Sequence, residues 1–363
     1  MDLPETLLVK ALHGEQLQFQ VLCNTRAGHY HLLRDAGIPV QHFVCRSRID
    51  RTAIKYMHEL LSADEFDLIH AFTSRLLSVV LLATRGWKDA PRIIAYRGGT
   101  KNVSRYSLLS RLTYLNRRVS AINCVCDAVR DYLLSQGVPA EKLRRIYKGH
   151  RPEWYQMTSE PPARALFNIP ADAFIVGCVA NMRPNKGIDV LLQAALQLAD
   201  EPFFFLVVGD VRDKRVQKLA NDPRLRERVC LTGLRNDVSE ISRLFDVFVQ
   251  PTKDSEGLPK AVLEAMCLEI PPVVTRIGGM IEIVRHERDG LVVNPNDPTA
   301  LALAFRRLRE DETLRLRLAK ASRQRIETAF HFDQSVAETR KLYEQVAGGV
   351  PGSELTIANA LSR

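Results

Sequence analysis

The sequence lacks any long uninterrupted apolar segment. No uncharged apolar run of about 18 residues, the length of a membrane-spanning helix, occurs in the 363 residues, so we expect no transmembrane helix. A basic leader is also lacking, because the chain opens with the acidic stretch Met-Asp-Leu-Pro-Glu-Thr, so we expect no secretory signal peptide. Together these two absences predict a cytoplasmic protein.

Cysteine is scarce, and its spacing is irregular. There are seven cysteines in the chain, and most lie in apolar, strand-like runs. The cysteines in such runs are Cys23, Cys124, Cys126, Cys178 and Cys230. Their spacing matches no metal-binding pattern. We therefore expect buried, reduced thiols and no metal site.

One stretch of the first half lacks acidic residues altogether. Residues 90–126 contain seven basic residues and no Asp or Glu. Residues 1–150 hold 22 basic and 13 acidic residues and the remainder holds 29 of each, so the net charge of +9 belongs to the first half. This asymmetry points to an anionic partner, such as a membrane surface, a phosphorylated acceptor or nucleic acid. We do not expect nucleic acid, because the chain shows no compact binding motif and no regular aromatic stacking positions.

The basic stretch also contains a leucine stripe. A helix over residues 107–116 would place four leucines on one face, with arginines beside that face. The residues concerned are Leu108, Leu109, Leu112, Leu115, Arg111 and Arg118. The pattern is typical of a helix in a membrane interface, which makes residues 105–118 a candidate contact with the inner face of the plasma membrane. An ordinary amphipathic helix packed on a sheet explains the pattern equally well.

Strand-like apolar runs alternate with helical patterns along most of the chain. In the first half the predicted strands are 18–23, 40–44, 66–71, 92–96, 120–125 and 143–147. In the second half they are 174–180, 203–209, 229–233 and 245–250. Such alternation predicts an α/β fold with parallel sheets and right-handed crossovers. A length of 363 residues and an apolar content of 46% suit two domains of ordinary size.

Candidate site residues are densest between residues 254 and 290. Glu256 stands in a polar turn, Pro259 can begin a helix that carries Glu264, and the pair Gly278–Gly279 precedes another acid, Glu282. A helix N-terminus favours phosphate, and a glycine pair lets the backbone approach a ligand closely. Carboxylates can accept hydrogen bonds from sugar hydroxyls. The whole set predicts a nucleotide-sugar site, although either glutamate alone could equally be a helix-capping or solvated acid.

This segment resembles the donor-site signature of family 4 glycosyltransferases. The resemblance rests on Glu-Gly-Leu-Pro at 256–259, Glu-Ala-Met at 264–266, Pro-Val-Val at 272–274 and Gly-Gly-x-x-Glu at 278–282. It implies the GT-B fold, in which two Rossmann-like domains face each other across a cleft. It also implies retaining transfer of a hexose-type sugar from a nucleotide-diphosphate sugar, such as a UDP- or GDP-sugar, with no cofactor or essential metal. The acceptor would be a hydroxyl of a glycan or lipid-linked molecule, as in lipopolysaccharide or exopolysaccharide assembly.

The resemblance also assigns roles to residues. Glu256 would contact the sugar, while Arg183 and Lys186 would hold the leaving diphosphate, and these three are the catalytic candidates. The donor-binding candidates are Glu264, Gly257, Leu258, Pro259, Leu234, Gly278 and Gly279. Lys186 matches the lysine of the family's G-R-x-x-x-K-G loop, whereas Asn181 stands at the arginine position and Arg183 would replace that arginine.

Several positions depart from the family pattern. Glu269 stands where glycine is usual, and Pro272 stands where valine is usual. The stretch from Asp67 to His70 resembles the strand end D-x-x-H-x-H, so His70 is a candidate for the cleft, with a half-buried structural histidine as the alternative. Arg97 holds the place of a usual histidine and is a second cleft candidate. The family's first strand is not found, so either the start is truncated or the strand is absent.

These observations give a domain prediction with open alternatives. We expect an acceptor-side Rossmann-like domain at 1–150 and a nucleotide-sugar-binding domain at 151–332. A helix at 333–347 would cross back to the first domain, and 348–363 would form a loosely ordered tail. The alternatives to an active transferase are a catalytically weak relative that serves as a partner subunit and a nucleotide-sugar epimerase of the same fold.

Overall fold

The structure is a computed structural model that describes residues 2–14, 16–25, 28–155, 160–181, 183–210, 212–348 and 354–361. The chain divides into two compact units. The first unit comprises Met1–Gly149 and Phe332–Arg363, and the second comprises His150–His331. The second unit is therefore inserted into the first along the chain.

The first unit is an α/β layer built on one parallel sheet. Its described strands are β1 (Leu17–Cys23), β2 (Val40–His42), β3 (Leu68–Ala71), β4 (Arg92–Arg97), β5 (Val119–Cys124), β6 (Leu143–Arg145) and β13 (Leu355–Leu361). Its described helices are α1 (Leu3–Leu12), α2 (His31–Arg34), α3 (Arg51–Ala63), α4 (Ser74–Ala83), α5 (Leu108–Arg111), α6 (Asp127–Ser135) and α14 (Phe332–Ala347). The strand order is β2-β1-β13-β3-β4-β5-β6, and neighbouring strands are parallel.

The segment that we expected to be a loosely ordered tail contains a central strand of this sheet. β13 lies between β1 and β3, and its Asn359 stands opposite Val21 on one side and His70 on the other. The chain opens in α1, with no strand before it among the described residues. In a doubly wound sheet, the position that β13 fills is the one that the first strand of the fold takes. In this sheet, that position is therefore filled by a strand from the far end of the sequence.

The second unit has the same kind of architecture. Its described strands are β7 (Phe174–Val179), β8 (Phe203–Val208), β9 (Val229–Leu231), β10 (Val247–Gln250), β11 (Pro272–Thr275) and β12 (Leu291–Val293). Its described helices are α7 (Ile188–Leu196), α8 (Lys214–Ala220), α9 (Val238–Ser242), α10 (Lys260–Cys267), α11 (Met280–Ile283), α12 (Pro298–Glu310) and α13 (Glu312–Ala329). The parallel strand order β12-β11-β10-β7-β8-β9 reverses between β7 and β10, which is where open α/β sheets bind ligands.

The core of the second unit follows from its strand composition. All six residues of β8, Phe-Phe-Phe-Leu-Val-Val, are buried, as expected for a parallel strand covered on both faces. Phe205 of β8 meets Phe305 of α12 with ring centroids 6.1 Å apart. Asp297 caps α12 by accepting the Ala300 N–H at 2.8 Å, and Pro298 follows at the first helical position. Burial of each large side chain stabilises the folded state by about 1.5–3 kcal/mol. The packed sheet and helix therefore give the loops at the sheet edge a firm support.

Residues 107–118 do not form the amphipathic helix that we predicted. Leu108–Arg111 is α-helical, and turns follow it. Leu108, Leu109 and Leu112 nevertheless face outwards, at 70%, 48% and 43% exposed, whereas Leu115 is half-buried. Arg118 instead points inwards, where it donates to the Leu81 carbonyl oxygen at 2.9 Å and contacts the Thr84 hydroxyl. None of the helices in the described ranges combines the length and apolarity that crossing a bilayer requires.

Candidate functional site

Two loops at the carboxyl edge of the second sheet meet where the strand order reverses. One follows β7, with described residues 180–181 and 183–187, and the other follows β10 and spans residues 251–259. The backbone N–H of Lys253 donates to the Asn185 carbonyl oxygen at 2.8 Å. The Asn185 side-chain amide in turn donates to the Ser255 carbonyl oxygen at 3.3 Å. The two loops therefore form one continuous polar surface.

Gly187 permits this close approach. Its φ of +72° lies in the left-handed region, which favours glycine. A Cβ at this position would lie 1.8 Å from the Pro251 carbonyl oxygen, a distance that only a backbone shift could relieve. Because Ile188 then begins α7, the same glycine sets where the phosphate-favouring N-terminus of that helix lies.

Two ion pairs join the loop after β10 to its neighbours, one to the loop after β7 and one to the first turn of α7. The Lys186 ammonium contacts the Glu256 carboxylate, and Lys253 lies 3.0 Å from Asp189. The four side chains are only 16–20% exposed, so both pairs are largely shielded from water. Lys186 and Glu256 were predicted from separate motifs, and the structure brings them into contact.

Sequence reasoning missed the second pair. Lys253 lies three residues after the end of the strand predicted at 245–250, and Asp189 lies in the first turn of α7. A signal was present, because polar residues at the carboxyl ends of parallel strands are placed at the ligand-binding edge. Their partnership could not be predicted, because it depends on how closely the two loops approach.

The loop after β11 completes the same surface. Gly278 has a φ of +49°, and a Cβ there would lie 2.0 Å from the Glu256 carbonyl oxygen. Gly279 is buried and takes the N-cap position of α11. The Thr275 hydroxyl donates to the Thr252 carbonyl oxygen at 2.6 Å, which ties the ends of β11 and β10 together. The predicted glycine pair therefore supports the loop that carries Glu256.

The remaining predicted residues of this motif lie at the start of α10. The helix begins at Lys260, with Pro259 at its N-cap. Gly257 and Pro259 are buried, and Leu258 is half-buried. Glu264 lies one turn further along and pairs with Lys260 at 2.8 Å. The motif thus places a helix N-terminus and a partly exposed carboxylate directly after the loop that carries Glu256.

Arg183 and Leu234 lie at the outside of the same sheet edge. Arg183 is exposed and precedes the 3-10 turn Pro184–Lys186. Leu234 is 72% exposed in the loop that follows β9. Neither takes part in the contacts that join the two loops, so the roles predicted for them depend on a ligand.

His70 is a core residue of the first unit, and its prediction as a cleft residue was wrong. It is fully buried, and its Nδ1 lies 2.8 Å from the Tyr343 hydroxyl of α14. Its ring packs on Phe72 with centroids 4.2 Å apart. Burial lowers the pKa of His70 to about 3, so the imidazole is neutral near pH 7. The physical reason is that helices cover both faces of the sheet, so every residue of β3 is buried.

Arg97 shapes the loop that follows β4. Its Nε donates to the Gly99 carbonyl oxygen at 2.8 Å, and its guanidinium also contacts the Lys101 carbonyl oxygen. The guanidinium carbon lies 4.9 Å from the centre of the Tyr114 ring. These contacts engage one edge and one face of the guanidinium, and the anion contact expected of Arg97 stays a prediction.

The cysteines are free, and all except Cys230 are buried. Burial raises the pKa of Cys124 and of Cys178 to about 12, so both thiols stay protonated and unreactive near pH 7. Within the described ranges, no group of three or more His, Cys, Asp or Glu side chains is placed to hold a metal ion.

Both halves of the chain match glycosyltransferase families. Residues 160–325 match the family described as "Glycosyl transferases group 1". Residues 6–154 match the family described as "Glycosyltransferase Family 4". The first match includes the two joined loops, and the second covers most of the first unit.

Individual proteins show the same relationship. The chain is 24% identical to the UDP-Gal:alpha-D-GlcNAc-diphosphoundecaprenol alpha-1,3-galactosyltransferase of Escherichia coli, over 81% of this chain and 79% of that protein. It is 32% identical to the lipopolysaccharide core biosynthesis glycosyltransferase LpsD of Rhizobium meliloti (strain 1021), over 47% of this chain and 49% of that protein.

Solved structures extend the likeness to the whole fold. Anabaena Alr3699/HepE in complex with UDP aligns with a TM-score of 0.76 at 20% identity, covering 90% of this chain and all of that one. The UDP-glucose complex of the same protein aligns with a TM-score of 0.75 at 22% identity, covering 93% and 95%. The expected fold class, two Rossmann-like domains of the GT-B type, is confirmed. With both sequence matches and this fold, the chain belongs to family 4 of the glycosyltransferases.

Proposed function

We propose that this glycosyltransferase moves a sugar from a UDP-sugar to a hydroxyl of a glycan or lipid-linked acceptor during assembly of a bacterial surface polysaccharide or lipopolysaccharide. The observation that carries the proposal is the contact of Lys186 with Glu256 at the strand-order reversal of the second sheet. The Escherichia coli relative, whose name includes UDP-Gal and diphosphoundecaprenol, supports the donor and acceptor classes. The Anabaena complex with UDP supports the same donor base.

In this proposal the two joined loops hold the donor diphosphate. Lys186, with Arg183 from the same loop and the N-terminus of α7, stabilises the charge that develops on the leaving UDP. Lys186 is neutralised by Glu256 in the structure, so donor binding exchanges this ion pair for contacts with phosphate and sugar. Glu256 then accepts hydrogen bonds from sugar hydroxyls, and Glu264 from the ribose.

We also propose retention of configuration, without a covalent nucleophile or an essential metal. The leaving diphosphate takes the proton of the acceptor hydroxyl as the new glycosidic bond forms on the same face of the sugar. The family resemblance and the position of the diphosphate-holding residues support this scheme.

Calorimetric titration of the whole chain with UDP- and GDP-sugars tests the donor site. We expect Lys186→Ala and Glu264→Gln each to weaken UDP-sugar binding by roughly 1.5–3 kcal/mol, the contribution of one charge-assisted hydrogen bond. Lys218→Ala, at an exposed lysine of α8, is the matched control and should bind like the unmodified protein. Unchanged affinity in both site variants would remove the donor-site assignment.

Product analysis tests the chemistry. With a UDP-sugar and an undecaprenyl-diphosphate-linked saccharide, we expect an NMR coupling constant that shows retention, and equal rates with and without EDTA. Inversion, or loss of activity in EDTA, would contradict the scheme. Interconversion of UDP-sugars without acceptor would favour an epimerase, and donor binding without turnover would favour a partner subunit.

We further propose that the first unit docks on the anionic inner face of the plasma membrane through its basic-apolar surface. That surface is defined by Lys101, Arg105, Tyr106, Leu108, Leu109, Arg111, Leu112 and Arg117. All eight side chains are exposed, with Tyr106 at 85% and Leu108 at 70%. Each basic residue near such a membrane is worth about 1 kcal/mol, so several of them together with a shallow apolar contact give reversible docking. Docking would bring the enzyme to a lipid-linked acceptor.

A further inference from the structure

We propose that the first unit contains a specific binding groove for one extended strand, and that residues 354–361 of the same chain occupy it as a separable segment. The strand groove is defined as the space between β1 and β3, together with the side chains of α1 and α14 that cover one of its faces. The inference concerns assembly of the first unit, and it goes beyond the transfer reaction proposed above.

Both edges of the strand groove are backbone edges. β13 pairs in parallel with β1 from Leu17 to Cys23, and with β3 from Leu68 to Ala71. Without a strand between them, β1 and β3 would each present unpaired N–H and C=O groups, which is the arrangement that recognises an extended peptide by strand addition. The groove therefore offers main-chain hydrogen bonds on two sides rather than on one.

Both ends of the bound strand are anchored by specific contacts. At its start, the Asp67 carboxylate accepts the Thr356 N–H at 2.8 Å, and the Asp67 N–H donates to the Thr356 carbonyl oxygen at 3.0 Å. At its end, the Phe72 N–H donates to the Ala360 carbonyl oxygen at 3.1 Å. Asp67, which opens the stretch that resembled a family strand end, is thus the residue that receives the incoming strand.

Side chains give the strand groove its sequence preference. Leu355 and Ile357 are buried in a cluster with Val9, Leu12 and Leu342 of the covering helices. The alternate residues Ala358 and Ala360 are small and fully covered on the opposite face. A one-residue slip would exchange the two faces, so the alternation of large and small side chains fixes one register.

A buried polar residue further restricts the register of this segment. Asn359 stands opposite His70 in the pairing of β13 with β3, and the Tyr343 hydroxyl lies 2.8 Å from His70 Nδ1. All three residues are buried. A buried polar residue penalises registers in which it meets apolar surface, so Asn359 adds to the specificity of the strand.

Cleavage of the folded whole chain tests whether the segment is separable. A specific protease site replaces residues 349–353, which link α14 to β13, and the folded protein is then cut there. We expect the cut protein to keep its circular dichroism spectrum and to retain the 354–363 fragment on size exclusion. Release of the fragment while the thermal unfolding curve stays unchanged would overturn the proposal, because β13 would then be dispensable.

Peptide exchange tests the specificity. The cut protein is unfolded in urea and refolded with excess fluorescent peptide Glu-Leu-Thr-Ile-Ala-Asn-Ala-Leu-Ser-Arg, and incorporation is read by fluorescence anisotropy. We expect one labelled peptide per chain, and at least hundredfold weaker incorporation of the peptide carrying Ile357→Asp, because burial of a charge opposes binding. Equal incorporation of both peptides would overturn the proposed groove. Failure of the unmodified peptide to incorporate, under conditions in which the uncut chain refolds, would overturn it as well.

A pair of variants tests the anchor. Asp67→Ala should weaken peptide incorporation about tenfold, and Glu65→Ala, at an exposed acid two residues away, should leave it unchanged. Equal effects of the two substitutions would overturn the role of Asp67. Light scattering of the uncut chain should show a monomer. A dimer that excess peptide converts to monomer would contradict occupation in cis, since the strand would then come from a second copy.

Discussion

Individual residues in this chain take their roles from backbone geometry as well as from side-chain chemistry. Glu269 stands directly after α10 with a φ of +60°, in the left-handed region where a side chain is strained and glycine is not. The family resemblance marked this position as one where glycine is usual, and the backbone now explains that preference. The chain therefore carries a strained and exposed glutamate at a helix end.

Relief of this strain should stabilise the second unit. We expect Glu269→Gly to raise the free energy of unfolding by about 1 kcal/mol, seen as a higher urea midpoint. The control is Lys320→Gly in the middle of α13, an exposed position where glycine should instead lower stability by about 1 kcal/mol. Destabilisation by both substitutions would show that Glu269 is not strained.

His70 should make the protein sensitive to acid. Its folded pKa of about 3 lies below the unfolded value of about 6.5, so between these pH values the unfolded state binds a proton that the folded state does not. Stability therefore falls as the pH drops through this window, by about 2 kcal/mol at pH 5 from this group alone. His70→Gln should remove that part of the loss between pH 7 and pH 5.

An NMR titration checks the same prediction without a substitution. The imidazole resonances of His70 should stay at the positions of the neutral ring from pH 7 to pH 5, because burial opposes protonation. A titration midpoint near the ordinary histidine value would contradict the buried, neutral His70 described above.

At the scale of elements, the sequence was sufficient wherever an element is decided locally. β8 could be predicted because its apolar run is continuous, and α12 because Asp297 and Pro298 mark its start. The predicted 107–116 helix was wrong because Ser110, Thr113 and Tyr114 turn inwards and are buried, whereas three of the four leucines stay exposed. β13 was missed because Thr356, Asn359 and its two alanines weaken its apolar pattern, and because a distant groove decides its place.

In the candidate site, too, the residues of local motifs could be predicted, whereas contacts between distant residues could not. Glu256, Lys186 and Gly278 were predicted from local motifs, and the fold brings them together. The contact of Lys253 with Asp189 was missed, since it depends on how closely a loop approaches the first turn of α7, which lies 64 residues away in sequence. Contacts between elements that are distant in sequence therefore could not be predicted. Gly187 is the residue on which the close approach of the two loops most depends.

Two glycines with nearly equal backbone angles separate conformational strain from steric contact. Gly187 and Gly233 have φ values of +72° and +73°, but a Cβ would meet the Pro251 carbonyl oxygen at Gly187 and nothing within 4 Å at Gly233. We expect Gly233→Ala to cost about 1 kcal/mol of stability, and Gly187→Ala a further 1–3 kcal/mol or so from overpacking. Urea unfolding measures both, and equal costs would mean that the loops can separate freely.

At the scale of the whole molecule, both the path of the chain and the distribution of its charge follow the division into two units. His150 and His331 pair as an isolated bridge, so the second unit begins and ends at one place along the fold. Residues 1–150 carry the whole excess of nine positive charges. The fixed inward contacts of Arg118 remove it from the exposed set, which leaves Arg105, Arg111 and Arg117 as the arginines of the basic-apolar surface.

Reversal of these three charges should abolish membrane docking. Because the arginines flank exposed leucines, we expect the protein to sediment with anionic phosphatidylglycerol vesicles at low salt, and Arg105→Glu, Arg111→Glu and Arg117→Glu together to remove that binding. The matched control reverses three exposed basic residues of the second unit: Arg226, Arg288 and Lys320. Both triple variants lose the same net charge, so only a local surface makes them differ. Equal loss of vesicle binding in both triple variants would show that docking depends on net charge alone. No binding by the unmodified protein would favour a soluble acceptor.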